Sequence, residues 1–277
     1  MGSWPRRPPA VAGSFYPSSR EELLKLLEWC YSHPLGPRGE ELGGEPVAFV
    51  VPHAGYVYSG PVAAHVYAAL KGLRFDAVVI LGPNHYAYGS PLATFSRGSW
   101  ATPLGDAPID EPLARALLRG GLLQDDYEAH RFEHSIEVQL PFLQHLGRPF
   151  AFVPICLAYQ EEEATRPLAK LLRRAYEERP FLLLASSDFT HYEPEEQARR
   201  KDLEQIRAIA TLDLRRHYET MRRLNVTMCG YGAIAAALEF SRLLGARGAT
   251  LLRHATSGDT GGDRGSVVGY AALAFVK

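Results

Sequence analysis

Three short apolar runs limit what this chain can fold into: VAFVV at Val47–Val51, AVVIL within Asp76–Leu81, and FLLLA at Phe181–Ala185. None alternates with polar residues, so each reads as a strand buried on both faces, the pattern of a parallel sheet covered by helices. Phe150–Ile155 adds a fourth strand. Between the strands lie longer helical stretches. Ser59 followed by Pro61 predicts a helix start with Val62–Leu70 as its body. Ser135–Leu146 and Glu161–Glu178 carry helical spacing, with Pro141 and Pro167 expected to mark kinks or boundaries. Further helices are expected from about Glu195 to Ala210 and over Ala233–Leu244. Residues 249–256 and 267–275 read as strands joined by SGDTGGDRGS, an antiparallel hairpin or edge. The expected fold is a three-layer α/β/α arrangement with a mostly parallel central sheet.

At 277 residues and 46% hydrophobic, the chain can bury a large core, and with no internal repeat or long linker it reads as one domain over 1–277. The longest expected loop is residues 32–46. Thirty basic against thirty-one acidic residues leave no field to attract nucleic acid or an anionic membrane. A small-molecule or peptide ligand is therefore the expected partner. The start, MGSWPRRPPAVAGSFYP, lacks the apolar core of a leader, and no run reaches membrane-span length, so a cytoplasmic location is expected. Three scattered cysteines read as reduced thiols. Two asparagines and three methionines against twenty prolines suggest a thermophile.

Each of the three buried runs ends in a loop bearing a histidine: His53 after Pro52, His85 after Gly82-Pro83-Asn84, and His191 after Ser186-Ser187-Asp188. Ligands of open α/β sheets sit beyond the carboxyl ends of the strands, so parallel strands would gather these three imidazoles at one cleft. One such histidine is usually a satisfied core or rim residue; three on one sheet point to a transition metal. Cys229, just before a helix, reads either as a small packing residue or as a thiol whose ionisation the helix start would favour. Cys30 and Cys156 read as core. AHRFEHSIEVQLPFL supplies His130, Glu133, His134 and Glu137, with His134 and Glu137 expected on one helix face, where they read either as a pair able to orient a ligand or move a proton or as an ordinary solvated helix start capped by Glu and Ser. Ser-Ser-Asp at 186–188 reads as a polar strand exit, because no G-x-S-x-G elbow is present. TGGDRGS reads as a turn.

PAVAGSFYP, PHAGYVYSG, GPNH, EHSIEVQLPFL, SSDFTHY, MCGYGAI and TSGD occur in an order that resembles the Memo family, from about residue 9 to the C-terminus. Memo proteins are similar in fold to the class III extradiol dioxygenases, which hold non-haem Fe(II) with two histidines and a glutamate. The resemblance implies a metal held by His53, His85 and Cys229, with the thiol standing where the dioxygenases carry a carboxylate. It implies His191 as acid/base, Asp188 orienting the site, and His134 as a supporting histidine. Fe(II) or Cu is the implied cofactor, with Zn as a third choice, and AMMECR-type and radical SAM proteins are implied functional associates.

The expectation is thus a metal-dependent redox protein. A non-catalytic peptide or protein binding module, with Tyr56, Tyr58, Tyr86, Tyr192 and Tyr231 beside the cleft, is the alternative from another class. A zinc hydrolase is the third. A mononuclear site requires the ring nitrogens of His53 and His85 to lie within about 5 Å of one another, since ligand distances are near 2 Å.

Overall fold

The structure is a computed structural model and describes residues 5–277, so the first four residues of the stretch read for a leader lie outside the described residues. The first half of the chain runs β1 (Arg6–Arg7), α1 (Arg20–Ser32), β2 (Pro46–Val51), α2 (Tyr56–Leu70), β3 (Ala77–Pro83), β4 (Leu92–Thr94), β5 (Ser99–Thr102), β6 (Gly105–Pro108), α3 (Glu111–Leu118) and β7 (Gln124–Asp125). The second half runs α4 (Leu140–His145), β8 (Ala151–Leu157), α5 (Glu162–Glu178), β9 (Leu182–Ser186), β10 (His191–Glu193), α6 (Glu195–Ala210), α7 (Leu214–Leu224), α8 (Tyr231–Leu243), β11 (Gly248–Thr256) and β12 (Val267–Val276).

The central sheet has the order β10-β12-β2-β9-β3-β8-β4-β7, with β11 also paired to β12. Strands β2, β9, β3 and β8 are mutually parallel and are the apolar runs of the sequence. They are buried because helices cover both faces: α1, α2 and α4 on one, α5 to α8 with α3 on the other. Strand β11 pairs antiparallel with β12, the expected hairpin. Strands β1, β5 and β6 form a separate small sheet. Among the described residues no helix is long and apolar enough to cross a membrane.

Only the C-terminal part of β12 pairs with β2, through Leu273–Val276, so its first residues overhang the carboxyl edge of the parallel strands. There the chain leaving β9 takes over. The Phe189 N–H donates to Gly269 O and the Gly269 N–H to Thr190 O, and β10 then pairs with Val267 and Val268. This crossover builds one wall beyond the sheet edge.

Three local expectations are corrected. Helix α2 begins at Tyr56 rather than Ser59, and Pro61 lies inside it; the Ser59 hydroxyl instead donates to Ala54 O. Pro167 likewise sits inside α5, whose buried Ala164, Leu168, Leu172 and Ala175 keep one apolar face continuous past it. The stretch Ser135–Leu146 is no single helix: a 3-10 turn at Glu137–Gln139 precedes α4, which opens with Pro141 in its first turn. Residues before that turn are held out of the helix because the Glu133 carboxylate takes the His134 and Ser135 N–H groups.

Candidate metal centre

The site is assembled at the carboxyl ends of β2, β3 and β9. His53 follows β2 by two residues and is buried among apolar strand ends. Its backbone N–H donates to Asp188 Oδ1 at 2.9 Å, which ties the β2 exit to the β9 exit. Its Nδ1 lies 2.9 Å from Ser186 Oγ and its Nε2 lies 3.1 Å from Cys229 Sγ. Burial, then the neighbouring His85, His134 and His191, hold this imidazole neutral, well below its ordinary pKa.

His85 is fixed by one carboxylate. Glu133 accepts its backbone N–H at 2.7 Å and faces its Nδ1 at 2.9 Å, leaving Nε2 for the cleft. Glu133 also caps His134 and Ser135. Burial works against the Glu133 charge, but these bonds, above all that from His85, hold its pKa at about 2. For His85, burial alone would lower the pKa; the hydrogen bond to ionised Glu133 and its charge override this and raise it. An imidazole oriented by a carboxylate on its far nitrogen is the usual support of a metal ligand.

His134 stacks on His85 with ring centroids 4.5 Å apart and is backed by Phe15 at 4.7 Å. Burial lowers its pKa to about 4, and its Nδ1 is buried without a hydrogen-bond partner. His53, His85 and His134 each offer a ring nitrogen, and these atoms all lie within 4.8 Å of one another. The separation a mononuclear site requires of His53 and His85 is therefore met.

Cys229 comes from the loop before α8. Its sulfur accepts the Asp188 N–H at 3.3 Å, and its neighbour Gly230 donates to Ser187 Oγ at 2.9 Å. Gly230 has to be bare, because a Cβ there would run into the Ser186 carbonyl and Ser187 Cβ. The thiol is not in the compact three-histidine group, where His134 stands instead, but it touches His53 Nε2. Burial, reinforced by Asp188, pushes the thiol pKa up. Burial thus works against the thiolate that the helix start alone would favour.

His191 and Asp188 complete the cleft of about 490 Å³, which Phe15, Tyr192, Thr227 and Val268 also line. The Thr227 carbonyl can only accept, so His191 Nδ1, 2.8 Å away, donates to it and leaves Nε2 as the proton acceptor of the ring. Burial raises the pKa of Asp188.

Other sequence candidates lie elsewhere. Glu137 does not share the cleft with His134; it turns away to Arg7, Tyr16 and the N–H groups of Ala10 and Val11. His130 is buried against Trp100 and Phe95. Tyr56 donates to Val138 O and Tyr231 to Glu161, so neither faces a ligand, while Tyr192 is 76% exposed at the cleft mouth. Cys156 packs as expected, fully buried beside Ala93. Phe15, Ser186, Gln139 and Thr227 were not legible as site residues, since their partners are distant in sequence.

The donors fit a metal: two neutral imidazoles, a third oriented by carboxylate, and a sulfur. The 3.1 Å between Cys229 Sγ and His53 Nε2 is close to the edge of about 3.5 Å that a tetrahedral N/S site requires.

A family model described as Memo-like protein matches residues 7–274. A MEMO1 family protein of Methanopyrus kandleri is 48% identical over 278 residues, covering 97% of this chain and 98% of its own. One from Methanosarcina acetivorans is 48% identical over 270 residues, covering 96% and 98%. The crystal structure of an uncharacterized protein from Escherichia coli K12 superposes with a TM-score of 0.58 at 16% identity, covering 82% of this chain and 98% of that one, a likeness of fold.

Proposed function

The chain belongs to the Memo family, and from that premise we propose that its cleft binds Fe or Cu and serves redox chemistry on a small-molecule or peptide ligand. The observation that carries this is the group of three ring nitrogens within 4.8 Å at the carboxyl edge of parallel strands. His53 and His85 would hold the metal, with Cys229 and His134 as the further donors. A thiolate beside imidazoles is a soft set, better suited to Cu, Zn or a tuned iron than to a hard cation. Bound there, Fe or Cu supplies one-electron chemistry and Lewis acidity.

The protein groups manage protons. Nε2 of His191 would take the proton of a ligand hydroxyl, and its anchored Nδ1 keeps the ring aimed as it does so. Asp188 accepts the His53 N–H, and a positive charge on His191 would favour its carboxylate against the opposing effect of burial, so it can stabilise the imidazolium that results. Phe15 packs against the His134 ring and limits its movement. A cytoplasmic setting and an association with AMMECR-type and radical SAM proteins complete the proposal.

Metal content of protein purified without oxygen tests it, with His53→Ala, His134→Ala and Cys229→Ala in parallel. Near-stoichiometric Fe or Cu, lost in His53→Ala and weakened in the other two, is expected. Folded parent protein that takes up no metal would sink the reading. The exposed ring of Tyr192 at the cleft mouth favours a second reading, a peptide-binding groove; partner affinity unchanged by metal removal would bring it forward.

A further inference from the structure

The hydrogens of four buried groups behind the cleft can be placed one at a time, beginning at Pro52. Its carbonyl only accepts, so the Gln139 amide atom 3.0 Å away is the nitrogen. The amide oxygen then faces the Tyr67 hydroxyl at 2.6 Å, which donates to it. The same amide nitrogen donates to Ser186 Oγ at 2.9 Å. Ser186 owns a single hydrogen, and the Ser135 carbonyl, 2.6 Å away, can do nothing but accept it. His53 Nδ1 therefore meets a hydroxyl with no hydrogen left to give, at 2.9 Å. Nδ1 has to carry the hydrogen, and Nε2, beside Cys229 Sγ, is the bare nitrogen.

We infer that Ser186, held in orientation by Gln139, is the positioning residue that selects the His53 tautomer able to bind metal. It acts through the imidazole and touches no ligand. Ser186, Gln139, Tyr67 and His53 are all at most 2% exposed, which leaves water little access to substitute for any link. One polar side chain at a strand end thus does the work a carboxylate does for His85, without adding charge. The chain of donors also explains why the Gln of the 3-10 turn and the Ser at the end of β9 can both be fully buried, since the one amide satisfies three neighbours at once.

The inference rests on the metal reading for its consequence, but the tautomer is a property of metal-free protein and can be read there. Proton–nitrogen correlation spectra of the imidazoles, recorded above the ordinary histidine pKa with His53 assigned by its loss in His53→Gln, should show hydrogen on Nδ1. Ser186→Ala removes the hydroxyl that accepts from Nδ1 and leaves only the backbone carbonyl of residue 186 on that side, so the Nε2–H form should gain population, with Zn²⁺ affinity, the probe, falling roughly 10–100-fold. Tyr67→Phe should leave the tautomer unchanged, because Pro52 still fixes the amide; this separates the lock from a general loosening of the core. Hydrogen on Nε2 in the parent would overturn the inference, as would a Ser186→Ala protein that keeps both the Nδ1–H form and parent Zn²⁺ affinity. The expected tautomers with no Zn²⁺ uptake by the parent would uphold the lock and refute the metal reading.

Discussion

Glu133 and Glu137 stand four residues apart, both buried, yet they serve opposite kinds of place. Glu137 closes a clasp: Arg7 at 2.6 Å, Tyr16 at 2.6 Å and two backbone N–H groups fill its oxygens. Arg7 spends its remaining donors on the carbonyls of His130 and Glu133 and lies over Trp100 at 4.1 Å. Glu133 instead holds a histidine whose far nitrogen is left free. The clasp is saturated, while the cleft keeps lone pairs in reserve. A protein that spends its carboxylates both ways within five residues separates what holds the fold from what binds a ligand.

Breaking the clasp should cost most. Glu137→Gln leaves the Arg7 charge buried and unpaired, and the expected loss is about 3–5 kcal/mol, read from the urea midpoint. A shift smaller than that of a surface substitution would mean that the clasp is not what holds this end together.

Acid should distinguish the two regions next. His134 in the cleft and His217 behind α8 both have folded pKa values of about 4, lowered first by burial. Their lowered values leave stability intact above the ordinary 6.5 and erode it as pH falls from 6.5 toward 4, by roughly 3 kcal/mol for each group. The Glu133 contribution, with its pKa at about 2, should persist until pH drops below the ordinary carboxylate value and vanish toward 2. Denaturant melts at stepped pH would show the histidine loss first; a flat profile from pH 7 to 4 would contradict it.

Glu133→Gln sharpens the contrast from the cleft side. Metal affinity should fall roughly 10–100-fold, about 1.4–2.7 kcal/mol, because His85 loses its anionic support. Affinity equal to the parent would show that His85 needs no such orientation. His191→Ala should be the mildest for the fold, within about 0.5 kcal/mol, and should leave metal content unchanged while ligand turnover stops. Loss of metal in that variant would make His191 a ligand.

The parallel core was legible because VAFVV, AVVIL and FLLLA are apolar whichever way they face, so no partner was needed to recognise them. β4 and β7 are two or three residues long and exist only because β8 and each other lend them hydrogen bonds. α7, LRRHYETMRRL, has a legible apolar edge at Leu214 and Tyr218, short against its run of charged residues. His53, His85 and His191 each follow a parallel strand, so strand order alone gathers them along one cleft, whereas Cys229, from the loop before α8, was tied to that cleft only through the family resemblance. The entry of His134 into the compact group was not legible. It depends on Glu133 refusing the helix that the spacing of Ser135–Leu146 suggested, a long-range bargain with His85 that no local periodicity records.

Gly230 carries a consequence for how such a site can change. Its bare Cα rests against the carbonyl of Ser186, whose hydroxyl faces His53, and its N–H is tied to the next residue, Ser187, so the sulfur one residue earlier is gauged against the same strand end as the imidazole. Any side chain at 230 would act as a shim, pushing the thiol and the imidazole apart together. The donor at 229 could be exchanged for a different chemistry with the spacing kept, while the empty position beside it is the one that variation is least free to fill.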